Sequence, residues 1–565
     1  MEAQVAAYVV LAALALGCTA DIEGAGEGGP GQPGVPGASG NGANAGAGPG
    51  TDPTVCVRGV PQTSQLPRLT NAQYENTVYD LLGVQGSSAM LAPDTESVDQ
   101  RAWDGYTITA RTVAEQVMLD ASLKSRFVTC APTGDGQECV AQIIQSFGQR
   151  AFRRPLTEAE TSRFTKLFTD RASITEGGSF DEVAELILRS FLVSPTFLLR
   201  SETSETPEGQ YLALSSYEVA SRLSYTLLDS MPDQALLDAA AQNALSTPEQ
   251  IRAQAVRLLQ EDPRSRSKVS SFHEHYMHKG PGTRWADYQR DTALFPSFTP
   301  ELVALLSQET DRFFDHVVFD QGGSFRDLVT SPVAFVNANL APLYGLDASQ
   351  YGTDLVQVAL DAGQRPGVFT RAGFLASHSL VNRPSPILRG AFLQKHVLCA
   401  SVGSPPPGAE GTPLPEVSAT ASNRERVDAQ TASPECAACH HTIINPTGFV
   451  LEGFDALGGY QPTDQFSGAP VDTAASALVG AETVSVTGPA QLFEAIAGSR
   501  EANLCYARSW VQAAYARELT SEDSCVAEDL TTKLTAGGYR ILDLIADLTQ
   551  AESFRLRAVP AEVQQ

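Results

Sequence analysis

Through most of the chain after residue 55, apolar residues recur three and four positions apart. Tyr74, Val78, Leu81 and Leu82 share one helical face, and Val219, Leu223, Leu227 and Leu228 share another. This spacing predicts amphipathic helices that bury one stripe against a core. Several open with a capping signature, in which Thr70 precedes Gln73, Thr157 precedes Glu160 and Ser215 precedes Glu218 by three residues. Thr299-Pro300-Glu301 sets a cap, a first-turn proline and an acid in the preferred order. Strand-like alternation is scarce, confined to 482–487 and 355–358. The expected fold is mainly α. With 565 residues it needs several packed helical modules rather than one core.

The pattern also repeats. Residues 147–160 read FGQRAFRRPLTEAE and residues 510–523 read WVQAAYARELTSED. Gln149, Ala151, Arg154, Leu156 and Thr157 recur as Gln512, Ala514, Arg517, Leu519 and Thr520. Each copy follows a cysteine, Cys139 or Cys505, and leads to a helix closing on FLLR or FRLR. Two related helical units, one near each end of the body, are expected.

The N-terminus changes the picture. Residues 5–16 are apolar but too short to span a bilayer, and they end at Ala15-Leu16-Gly17-Cys18. This resembles a bacterial lipoprotein signal, with Cys18 taking the lipid. An ordinary cleaved signal peptide is the alternative. Residues 23–53 are almost entirely Gly, Pro, Ala, Ser and Asn, a composition that cannot bury a core and suits a disordered tether. The expected setting is export, with a membrane anchor on the periplasmic or cell-surface side. A formal charge of −26 argues against nucleic acid as a partner.

Nine cysteines fit an oxidising compartment. With Cys18 assigned to lipid and Cys436 and Cys439 to a cofactor, six remain. The short loops Cys130–Cys139 and Cys505–Cys525 are the expected bridges, leaving Cys56 and Cys399.

Cys436, Cys439 and His440 form a CxxCH segment. Two thiols on one turn can bond the two vinyl groups of a haem while the adjacent imidazole takes the iron. One covalent haem c is therefore expected. The alternatives are a disulfide redox pair, or zinc held with His440 or His441. No His or Met follows His441, so a second axial ligand must come from upstream. His378 and His396 are the candidates.

The motifs extend along the chain. LTNAQYENTVYDLLG (69–83), RAFRRPLTEAE (150–160), LSSYEVASRLSYTLL (214–228), SPILRGAF (385–392) and CAACH with NPTGFVLEGFDALG follow one another in order. The chain resembles a family of multi-module proteins first described in planctomycetes, in which planctomycete-specific domains surround a cytochrome-c-like domain. After the signal at 1–18 and the linker at 19–54 read above, the resemblance implies helical domains at 55–128, 130–203 and 208–350. It further implies a cytochrome-c-like domain at 364–470 and a closing helical domain at 486–560. Relatives carry a histidine where this chain has Gln430.

Other constellations read as structure. The outer histidines of His273-Glu274-His275-Tyr276-Met277-His278 are five apart, which is not the HExxH spacing, and a packed or solvated helix is expected. Glu452 and Asp455 are expected to bond within a tight turn, and Arg153 and Arg154 to form salt bridges or cap a helix. The expected role is electron transfer with an unknown redox protein partner. The alternatives are an envelope scaffold or binding lipoprotein with a structural haem-like or zinc domain, and a peroxidase-type haem enzyme.

Overall fold

The computed structural model describes residues 56–61, 68–94, 99–280, 282–403 and 417–559. The signal-like segment, Cys18 and the linker lie outside the described residues. The fold is mainly helical with a few small antiparallel sheets. The chain divides into two compact units, one formed by 274–506 and one by 53–273 with 507–565. These boundaries cut the sequence segments 208–350 and 486–560. Helices Arg264–Tyr276 and Arg500–Tyr515 each include a boundary.

In the 53–273/507–565 unit the expected caps form. Thr70 with Gln73, Thr157 with Glu160 and Ser215 with Glu218 are reciprocal capping boxes. They open helices whose apolar faces bury Tyr74, Val78, Leu81, Phe164 and Tyr225 in one core. Phe164 stacks on Phe191 at 3.8 Å between ring centres. A three-stranded antiparallel sheet joins Thr206–Glu208, Tyr211–Ala213 and Leu556–Ala558.

The sequence repeat is also a structural repeat. Arg154 grips Glu160 with two 2.9 Å bonds, and Arg517 grips Asp523 with bonds of 2.6 and 3.0 Å. Each carboxylate also accepts the backbone N–H of its cap, Thr157 or Thr520. The residues before the two arginines, Arg153 and Ala516, both sit in the left-handed region, at φ 59° and 51°. Buried Arg153 donates to the carbonyls of Thr196, Phe197 and Leu199, which end a short helix. Both arginines thus do what their positions suggested.

In the 274–506 unit, Thr299 caps helix Pro300–Asp315 as its sequence predicts. That helix packs beside Ala372–Ser377 and the strand pair Val333–Val336 and Val356–Ala359. A hairpin, Ala475–Val479 with Glu482–Val486, lies against helix Asn445–Phe449.

Three disulfides form among the described residues. Cys130–Cys139 is as expected. Cys505 and Cys525 are both bridged, but not to each other. Cys505 pairs with Cys399 and Cys525 with Cys56, at Cα separations of 5.5 and 4.8 Å. Closeness in sequence misled here because Cys505 and Cys525 belong to different compact units.

Candidate functional site

The CxxCH residues sit on a nearly continuous helical rod. Pro434 begins helix Pro434–Cys439, one π-helical turn carries His440–Ile444, and Asn445–Phe449 completes it. Wide turns of this kind recur at functional sites because they re-aim side chains. The rod crosses helix Pro386–Phe392 at two glycines. A Cβ on Gly390 would collide with the Ile444 carbonyl, and one on Gly448 with the Pro386 carbonyl. Both glycines are required by this close approach of two backbones.

Cys436 is buried and Cys439 half-buried, and neither enters a disulfide. The other six described cysteines are all bridged.

The orientation of His440 is set by a chain of hydrogen bonds that begins outside the motif. The Thr431 hydroxyl donates to the Val427 carbonyl at 2.8 Å, which spends its only proton. It therefore accepts from Asn445 Nδ2 at 3.0 Å and from His441 Nε2 at 3.0 Å. With its nitrogen so engaged, Asn445 turns Oδ1 to His440 Nδ1 at 3.2 Å. An amide oxygen has no proton to give, so His440 Nδ1 carries the proton and donates. The lone pair is left on Nε2. Burial pushes the His440 pKa down, opposed by the Asn445 bond, so the ring is neutral at neutral pH. A neutral imidazole with Nδ1–H tied to an oxygen acceptor is the arrangement that metal-bound histidines adopt.

Behind the rod, three buried arginines hold the following loop by its carbonyls. Arg389 donates to Leu451 at 2.7 Å, Phe454 at 2.9 Å and Asp455 at 2.8 Å. Arg290 reaches Ala456 at 2.8 Å and Arg365 reaches Gly458 at 2.7 Å. Asp455 closes the turn itself, accepting the N–H groups of Leu457 and Gly459 at 2.8 Å each. Glu452 instead accepts from Asn423 Nδ2 at 2.8 Å. The acid pair is thus bound within the turn and its neighbours.

His378 and His396 gather around Phe392. Their ring centres lie 4.7 and 5.0 Å from it, and His278 lies 3.9 Å from His396. His378 is buried with Nδ1 on the Phe374 carbonyl, and burial pushes its pKa down to about 3. No ring contact joins either histidine to His440 among the described residues. His273 is buried against Trp510 and bonds the Val269 carbonyl, a packed histidine as expected. Gln430 ends helix Asn423–Gln430, directly before Thr431.

Five family models match the chain in order, and all five describe proteins of unknown function. They are Protein of unknown function (DUF1587) at 67–119, (DUF1595) at 139–202, (DUF1592) at 214–346, (DUF1588) at 365–464 and (DUF1585) at 483–554. The chain belongs to this multi-domain family. No curated protein and no solved structure matches it. The DUF1588 domain of this family member contains Arg365, Arg389, Asn423, Thr431, the CxxCH residues, Asn445 and Glu452. Sequence reasoning found the cysteines and His440 but missed Thr431, Asn445 and the arginines. A visible signal existed for the arginines. Arg371 and Arg389 interrupt the apolar runs RAGFLAS and PILRGAF, where a charge needs buried partners.

Proposed function

We propose that this chain is an exported c-type haem protein of the cell envelope, tethered through Cys18, that exchanges electrons with a redox protein partner. The observation that carries the reading is the His440 network, which leaves Nε2 as a lone pair one residue after two thiols outside any disulfide. The donor set suits haem: thiols at 436 and 439 for the vinyl groups, and His440 for the iron. Bound there, a haem would supply a one-electron couple. Three disulfides support an oxidising compartment. A zinc reading needs about four convergent ligands, and among the described residues no three His, Cys, Asp or Glu side chains converge that way.

The test is expression with cytochrome c maturation machinery, followed by haem staining on a denaturing gel and a visible spectrum. Covalent haem is expected in the native protein and none in the Cys436→Ser, Cys439→Ser double variant. A matured protein without covalent haem sinks the reading, and zinc in its place points to the scaffold alternative. A low-spin spectrum supports electron transfer. A high-spin spectrum that shifts with peroxide indicates the enzyme alternative.

Asn445→Ala keeps both thiols and should retain the attached haem. Removing such an outer-shell hydrogen bond lowers metal affinity about 10–100-fold. On acid titration His440 is then expected to leave the iron roughly one to two pH units higher than in the native protein. An unchanged acid transition would show that Asn445 does not orient His440.

A further inference from the structure

Asn423 opens helix Asn423–Gln430 and is 2% exposed. Its two nitrogens hold two different carboxyl groups. The backbone N–H donates to Asp464 Oδ2 at 2.9 Å, and Nδ2 donates to Glu452 Oε1 at 2.8 Å. Asp464 also accepts the N–H groups of Phe466 and Ser467 and the Ser467 hydroxyl. Against the effect of burial, these bonds hold its pKa below the usual range, so it is ionised. Glu452 is 3% exposed and has no comparable set of donors among the described residues.

The remaining atom of the amide is the informative one. Asn423 Oδ1 is buried and has no hydrogen-bond partner. An ionised Glu452 has no proton to offer it. A carboxylic acid does, because its O–H donates while its other oxygen accepts, which matches an amide's own donor and acceptor edge. We infer that Glu452 is a proton-exchanging site, paired as a carboxylic acid with the Asn423 side chain, that adjusts the charge behind the His440 centre.

Burial pushes Glu452 up to about 7, with Asp464 adding to the rise and Asn423, Arg424 and Arg389 opposing it. The charged groups facing it are Arg424 from helix Asn423–Gln430, Arg389 from helix Pro386–Phe392, and Asp464. Arg424 is itself paired with Asp472.

A structural link runs to the haem motif. Helix Asn423–Gln430 starts at the residue that binds Glu452. Thr431, the next residue after its end, holds Asn445 and through it His440. The coupling rests on the haem reading above. One-electron reduction by an external donor adds a negative charge at the centre, and one proton from water binds Glu452 and neutralises its carboxylate. Reoxidation releases that proton. Coupling of this kind is reciprocal, so the reduction potential must depend on pH wherever Glu452 titrates.

The experiment compares the matured native protein with Glu452→Gln, which keeps the shape and cannot titrate. The native potential should fall with rising pH across a window centred near 7. The variant should lack that slope and stay at the higher, acid-limit potential. A native potential flat through this window overturns the inference, and so does an equal slope in Glu452→Gln. If haem does not attach, the function proposed above fails instead. An infrared titration of the haem-free protein then decides the proton site. Buried Glu309 is silenced by placing both proteins in a Glu309→Gln background. A carboxylic-acid band lost through neutral pH in Glu309→Gln and absent from Glu309→Gln with Glu452→Gln supports it. Absence of that band from Glu309→Gln at pH 6 overturns it.

Discussion

Arg389→Met is expected to destabilise the 274–506 unit by about 3–5 kcal/mol, the range for removing one member of a buried charged network. Arg389 is fully buried and spreads its donors over five acceptors. Besides the carbonyls of Leu451, Phe454 and Asp455, it reaches the Leu375 carbonyl at 3.2 Å and Ser379 Oγ at 2.9 Å. Methionine fills similar space but leaves four carbonyls without that donor, and each orphaned group costs about 1–3 kcal/mol. Part of this is offset because no cation need be desolvated, so the net lies below the plain sum. Arg389→Lys should fare little better, since one ammonium cannot match a planar fork aimed at both a helix end and a loop. Hydrogen exchange of residues 445–459 reads the effect, with rates expected to rise by roughly two to four orders of magnitude. A stability loss under about 1 kcal/mol would show that the loop holds its shape without the arginine.

That expectation also explains why the site was only half legible in the sequence. Local chemistry was readable. A threonine three residues before a glutamine or glutamate makes a reciprocal cap within one turn of chain, and Thr70, Thr157 and Ser215 all behave so. The repeat was readable because Arg154–Glu160 and Arg517–Asp523 are contacts between residues six apart. CxxCH was readable for the same reason. Long-range closure was not. Cys399 and Cys505 are separated by 106 positions, and Cys56 and Cys525 by 469, so nothing local announces either pair. Nor does anything local tie Arg389 to carbonyls more than 60 residues on, or Thr431 to Asn445. Carbonyl oxygens belong to every residue and leave no mark on sequence pattern. Cation–carbonyl clamps are thus invisible until the chain is folded.

The buried arginines give this part of the fold an unusual charge balance. Arg365, Arg371 and Arg389 are each at most 1% exposed, and their hydrogen bonds run mainly to backbone carbonyls. A cation solvated by dipoles keeps its full charge, so nearby acids remain electrostatically available instead of being consumed in ion pairs. Two such acids are Glu452 and Glu309, and burial, the larger effect at each, pushes both up to about 7.

Glu309→Gln should therefore stabilise the protein above neutral pH and change little near pH 4. Glu309 lies on helix Pro300–Asp315 with no exposed surface. The Tyr344 hydroxyl and the Phe335 backbone face its carboxyl, together with Arg371 and Arg365, yet neither oxygen has a partner at hydrogen-bond geometry. Tyr344 is partly engaged, because its oxygen accepts the Ala372 N–H at 2.9 Å. The folded pKa is raised above the unfolded one, so the folded chain binds more protons between about 4.5 and 7. Stability is then greatest below the unfolded pKa and falls as pH rises through the folded pKa. A rise from 4.5 to about 7 corresponds to a loss on the order of 3 kcal/mol. Glutamine cannot ionise and escapes that loss, so the two unfolding curves should coincide at pH 4 and separate progressively to pH 8. Urea unfolding across this range provides the check. Glu452 and the buried His378 also titrate in this range, so the effect of Glu309 is read as the difference between the native and Glu309→Gln curves, in which their contributions cancel. Equal pH dependence in native and Glu309→Gln proteins would mean that the carboxylate is solvated in the folded state, with Tyr344 and Arg371 closing onto it.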